Sequence, residues 1–245
     1  MFARQSERGR APGAVRGGIA RDHRSVLFGG ARRRRLLIRV LIILTLAGIA
    51  TGGKVALAHA ASIEADYPDI AWQHSVARGT PNDGRLVRGV QLPEAGPMWF
   101  TWDWQTKVSP NAEYRRWGTD TTIRSLLSVM TDYWQAFPIA PRVGVADIAR
   151  PHGGPFGKEY GGLGHASHQN GLDVDVLYPR ADGQEKPAAR PAQVDQVESQ
   201  ELVDLFVLAG AKYVFVGPNL SLTGPPKVVQ KLIYHDDHMH VRFKG

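Results

Sequence analysis

The chain has 245 residues, 30 Lys and Arg against 23 Asp and Glu, 43% hydrophobic residues and no cysteine. That length and hydrophobic content fit one globular domain with extensions and exclude a chain disordered throughout. The lack of cysteine excludes a disulfide scaffold, thiol catalysis and a thiolate metal site.

The charge is unevenly placed. Residues 1–39 hold 11 Arg against one Asp and one Glu, leaving 19 basic and 21 acidic residues in the remainder. A basic tail on a nearly neutral body is not a nucleic-acid-binding face, so no nucleic acid is expected as a partner. After the run Arg32-Arg33-Arg34-Arg35 comes an apolar stretch from Val40 to Ala50, then the small-residue sites Ala56-Leu57-Ala58 and Ala58-His59-Ala60. Basic, apolar and small-residue regions in this order describe a secretory signal. An uncleaved N-terminal membrane anchor is the alternative, with Arg39 and Lys54 reaching the two interfaces. Either way residues 1–60 are set aside as targeting, and residues 61–245 are expected to be exported to the periplasm or extracellular wall space as one domain.

Within that domain, Trp99-Phe100-Thr101-Trp102-Asp103-Trp104 alternates as a strand or hairpin, and its aromatics suit a core more readily than a substrate groove. Thr119 to Phe137 predicts the main helix, with Ile123, Leu126, Leu127, Met130, Trp134 and Phe137 as its apolar stripe. Thr119 or Asp120 caps its start and Pro138 ends it. Val143 to Ile148 reads as a strand, Pro151 to Gly164 as a loop, and Gly171 to Tyr178 as a strand. Val194 to Ala209 is a second helix closed by Gly210, Tyr213 to Val216 a strand, and Ile233 to Phe243 a final strand with an irregular start. The expected class is α+β, a small antiparallel β-sheet flanked by helices.

Five of the nine histidines fall in two clusters, Gly164-His165-Ala166-Ser167-His168 through Asp173-Val174-Asp175, and His235-Asp236-Asp237-His238-Met239-His240-Val241-Arg242. On a strand, residues i and i+2 share a face, so His238 and His240 project together, as do Asp173 and Asp175. Side by side, these strands converge imidazoles and carboxylates on one patch. A shared cation explains the pattern better than buried unpaired charge, and without thiolates the donors suit zinc.

His168-x6-Asp175 with His238-Met239-His240 resembles the lysostaphin / D-Ala-D-Ala metallopeptidase / sonic hedgehog superfamily. More narrowly, Gly164 to Asp175 and His235 to Arg242 resemble the penicillin-insensitive murein endopeptidases, over roughly Leu92 to Phe243. The resemblance implies one zinc per chain bound by His168, Asp175 and His240, on the sheet. It implies His238 as base or transition-state stabiliser, with His165 and His235 lining the site and peptidoglycan as partner, cut at D-Ala–diaminopimelate cross-links. Asp237 is a competing base, and Asp173 either orients a ligand imidazole or makes a structural hydrogen bond. No Gly-x-Ser-x-Gly elbow supports a serine hydrolase. The remaining alternatives are a D,D-carboxypeptidase and a non-catalytic, zinc-containing wall-binding module.

Overall fold

A computed structural model describes residues 62–160 and 164–245. Residues 1–60, read from the sequence as targeting, lie outside the described residues. Among those described, no helix is long and apolar enough to cross a membrane.

The strands are β1 (Val76–Thr80), β2 (Asp83–Val87), β3 (Val90–Gln91), β4 (Trp99–Thr101), β5 (Trp117–Gly118), β6 (Val143–Val145), β7 (Asp173–Leu177), β8 (Tyr213–Val216), β9 (Val229–Lys231) and β10 (His238–Arg242). The long helices are α1 (Asp120–Ala136) and α2 (Gln196–Leu208). Six strands form the main sheet in the order β4-β6-β7-β10-β8-β9. Its centre is antiparallel, from β6 through β7 and β10 to β8, while β4–β6 and β8–β9 are parallel pairs. The sheet is therefore mixed and larger than the small antiparallel one expected. The connection from β4 to β6 carries α1, and a crossover of that length is what returns a strand parallel to its partner.

Period-two alternation divides the sheet into two faces. Val174 and Val176 of β7, Met239 and Val241 of β10, and Val214 and Val216 of β8 pack on one side with Ile123, Leu126, Leu127 and Met130 of α1 and Leu202, Val203 and Phe206 of α2. At roughly 1.5–3 kcal/mol per fully buried large side chain, this layer is the main source of cohesion. The opposite face carries a small cluster of Phe100, Ala146 and Leu177 with Trp102 and Trp104 against it. Trp99, one residue before Phe100, belongs to the helix-side core, so the aromatic run serves both faces.

Thr119 caps α1, its side chain accepting from the Thr122 N–H at 3.1 Å. The buried stripe departs from expectation at its far end: Tyr133 is buried and Trp134 is about half exposed. The Tyr133 hydroxyl reaches Glu198 on α2 at 3.1 Å, so it is the i+3 position after Met130 that turns toward the second helix. Asp195 caps α2 by accepting from the N–H groups of Val197 and Glu198.

The β1–β2 hairpin was not legible as strands, yet it braces the site. Asn82 at its tip donates to the Ala166 carbonyl at 2.9 Å, while Gln169 donates through its backbone to Pro81 O and through its side chain to Asn82 O. The loop is thus pinned on either side of His168. A further tie joins the loop to the start of α1, where the Thr119 N–H donates to Gly171 O at 3.0 Å.

Candidate metal centre

β7 and β10 pair so that His240 stands opposite Asp175 and Arg242 opposite Asp173. Because Val174 and Val176 are committed to the helix-side core, the odd-numbered positions of β7 must face the other way. Their partners on β10 are the even positions His238, His240 and Arg242. The third donor, His168, arrives from the loop before β7. Its backbone is in the left-handed region (φ 66°), which costs a non-glycine residue about 1–2 kcal/mol. Asp173 Oδ2 accepts the His168 backbone N–H at 3.1 Å and so holds that turn.

Three donor atoms close a triangle. His168 Nε2 is 3.2 Å from His240 Nδ1 and 3.3 Å from Asp175 Oδ1, and the last two are 3.0 Å apart. Tetrahedral zinc with bonds of about 2.0–2.1 Å sets neighbouring ligand atoms about 3.3 Å apart, so these residues fit the ion. Two overlapping groupings are also compact enough to hold a metal: His165 with His168 and Asp175, and His168 with Asp173 and His240. Asp173 is the poorer ligand of the two carboxylates, because Arg242 already grips both its oxygens at 2.7 and 2.9 Å.

Each imidazole's second nitrogen has a partner. His168 Nδ1–H donates to the Ile148 carbonyl at 2.7 Å, leaving Nε2 as a lone-pair donor. His240 points Nε2 toward Asp173 Oδ2, 3.5 Å away, leaving Nδ1 for the triangle. His238 Nδ1–H donates to Asp237 Oδ1 at 2.7 Å, and its Nε2 faces Asp175 Oδ1 at 3.8 Å. Asp237 therefore holds the His238 nitrogen that faces away from Asp175. His235 stacks beside His238 with ring centroids 4.8 Å apart, and its Nδ1–H donates to Ile233 O.

Electrostatics follow from this packing. Burial pushes the Asp175 carboxyl up, but the imidazoles of His168 and His238 and the hydrogen bonds of His168 and His240 outweigh it, holding Asp175 well below its usual range. Asp173 is also depressed: burial opposes ionisation, and His240 and Arg242 prevail. Burial lowers His238 and His240, but neighbouring carboxylates reverse the sign: Asp175 then Asp237 raise His238, and Asp173 with Asp175 raises His240. His235 is lowered, by burial first and by His238 second.

The site's further walls come from Trp104, read from sequence as more suited to a core than to a groove, and from Asp147 and Arg115, to which the sequence gave no role. Trp104 lies against His238 with centroids 5.8 Å apart. Asp147 Oδ2 is 2.9 Å from His165 Nε2, and Arg115 Nη1 donates to its other oxygen at 2.7 Å. Arg242 was foreseeable from period two, being the third member of the His238, His240 face. An acidic residue directly after the apolar run Val143 to Ala146 was the signal for Asp147.

A family model for penicillin-insensitive murein endopeptidases matches residues 77–212. The chain belongs to that family. The match covers more than half the chain, begins upstream of Leu92 to include most of the β1–β2 hairpin, and takes in Asp147, His165, His168 and Asp175. It stops before His235, His238 and His240; the β7–β10 register brings the last two to the same place, and the His235 ring lies against them. No curated protein matches the chain. A murein endopeptidase acts on the peptide part of peptidoglycan, which places its substrate in the cell wall.

Proposed function

We propose that this murein endopeptidase is zinc-dependent and hydrolyses D-Ala–diaminopimelate cross-links. In this reading His168, Asp175 and His240 bind one zinc ion per chain. The donor triangle, with sides of 3.0–3.3 Å and every ligand nitrogen oriented from behind, is the observation that carries the proposal.

Zinc bound by two neutral imidazoles and one carboxylate supplies a net positive Lewis acid that polarises a scissile carbonyl and acidifies water. The chain's own groups do the rest. Asp237 fixes the His238 tautomer with the proton on Nδ1, so Nε2 is free to take a proton from the attacking water and return it to the leaving amine. As an imidazolium, His238 also places positive charge beside the developing oxyanion. Asp173 and Ile148 O keep the ligand imidazoles from rotating. His165 and His235 flank the reaction space, and Trp104 buttresses His238. Penicillins act by acylating serine, and none of these groups is a serine.

The domain formed by residues 61–245 would work in the periplasm or wall space, delivered by the basic N-terminal segment as a cleaved signal or an anchor. Digestion of purified cross-linked muropeptide dimers, followed by mass spectrometry, tests the reaction. Monomer release that a chelator stops and added zinc restores is the expected result. Trimming of terminal D-Ala with dimers left intact would instead make the chain a D,D-carboxypeptidase, and chelator-resistant cleavage would remove the metal.

A further inference from the structure

The three residues after β6 tie together His165, His168 and Asp175. The Ala146 N–H donates to Asp175 O at 2.9 Å, and the Asp175 N–H donates to Asp147 O at 2.8 Å. Ile148 O accepts from His168, as described above. The side chain of Asp147, 1% exposed, spans His165 on one oxygen and Arg115 on the other. Arg115 is itself buried, donates to the Tyr160 carbonyl, and lies with Nε 3.4 Å from Asp103 Oδ2. Asp103 is anchored in turn by the N–H groups of Gln105, Thr106 and Ala112. A buried chain of alternating charge thus runs Asp103, Arg115, Asp147 and ends on the His165 ring.

Arg115 is shared between Asp103 and Asp147, and the second Asp147 oxygen takes His165 as its own donor. A carboxylate can only accept, and therefore the His165 proton sits on Nε2. Nδ1 is then left facing the site, 3.8 Å from Asp175 Oδ2, in a ring that keeps 26% of its side-chain surface open.

We propose that Asp147, backed by Arg115, is the positioning residue for His165, fixing its ring and tautomer so that Nδ1 is presented to the reaction space. The inference rests on reading the site as a hydrolytic metal centre and assigns a function to a carboxylate outside the donor set. In Asp147→Asn, Arg115 retains the side-chain oxygen and the amide NH2 turns to His165. Nε2 must then accept, and the tautomer inverts.

The experiment uses the full chain loaded with zinc. Imidazole 15N shifts are expected to show His165 protonated on Nε2 in the wild type and on Nδ1 in Asp147→Asn. On muropeptide dimers, Asp147→Asn should lower kcat by about 10–100-fold, with KM and zinc content unchanged. In a His165→Ala background the same substitution should cost no more than about twofold, because the two residues act as one unit. Losses that multiply across the two backgrounds, or a wild-type His165 carrying its proton on Nδ1, would overturn the proposal. If Asp147→Asn does not fold, the wild-type tautomer still decides. That reading is independent of turnover, so an inactive wild type would count against the proposed reaction and not against this assignment.

Discussion

His168, His238 and His240 differ most in what holds the nitrogen that faces away from the donor triangle. A main-chain carbonyl holds His168, a buried carboxylate already committed to Arg242 faces His240, and the more exposed Asp237 holds His238. Only His238 has its inner nitrogen outside the triangle, which suits it to carry protons and not metal. His238→Ala should therefore keep zinc and lose kcat by roughly 10²–10⁴-fold. Asp237→Asn should lose less, about 10–100-fold, because the ring stays in place with a weaker partner. Steady-state rates beside metal analysis check both; near-normal turnover in His238→Ala would pass the proton-transfer role to another group. The six predicted site residues could be read from spacing and resemblance, since strand period and the two His clusters are local properties. Asp147 was marked only as an acidic residue after an apolar run, and its link to His165 and Arg115 was not legible because those contacts span 18 and 32 residues of sequence.

At the scale of elements, the best-read segments were those whose period was strong and whose ends were marked. α1 begins after Thr119 and β8 spans Tyr213–Val216, as the sequence indicated. The β1–β2 hairpin was missed although Pro81-Asn82-Asp83-Gly84 is a turn signal, because Gly79, Gly84 and three arginines between Val76 and Arg88 mask strand alternation. β9 was missed for want of length. Trp134 was assigned to the buried stripe because i and i+4 from Met130 share a face, yet Tyr133 at i+3 meets α2 instead. These contacts make separable stability predictions. Thr119→Ala removes the α1 cap and should cost about 1 kcal/mol with zinc affinity unchanged. Met239→Ala opens the core beneath β10 between His238 and His240, and should cost about 2–5 kcal/mol. It should also weaken zinc binding. Chemical denaturation with zinc titration compares them, and equal effects on zinc affinity would contradict the division between the faces.

For the whole molecule, the two faces of the sheet divide labour: one supplies cohesion through the helices, the other concentrates charge. That concentration makes stability depend on pH and metal together. In the metal-free chain His238 and His240 are raised, so their contribution is full below about pH 6.5 and is lost as pH rises through their folded values. Asp173 and Asp175 are depressed, so theirs is full above about pH 4 and is lost as pH falls. His235 is lowered and works the other way, but it is one group against two, so chelated protein should melt higher at pH 6 than at pH 8. Zinc binding must displace the His240 proton, so the metal's stabilisation should grow over the same interval. Thermal melts with and without chelator measure the gap; a gap that narrows from pH 6 to pH 8 would contradict the assignment of His240 as a ligand. The helix-side core was largely legible in the sequence, whereas the sheet order was not, because β10 inserting between β7 and β8 is a long-range choice.

The most direct single test is Asp175→Ala against the wild type, with zinc per chain and cleavage of cross-linked muropeptide dimers measured on the same preparations. One zinc per wild-type chain, with both zinc and cleavage abolished in the variant while the fold is retained, is the predicted result. A folded Asp175→Ala chain that keeps stoichiometric zinc, or one that still cleaves dimers, would contradict it.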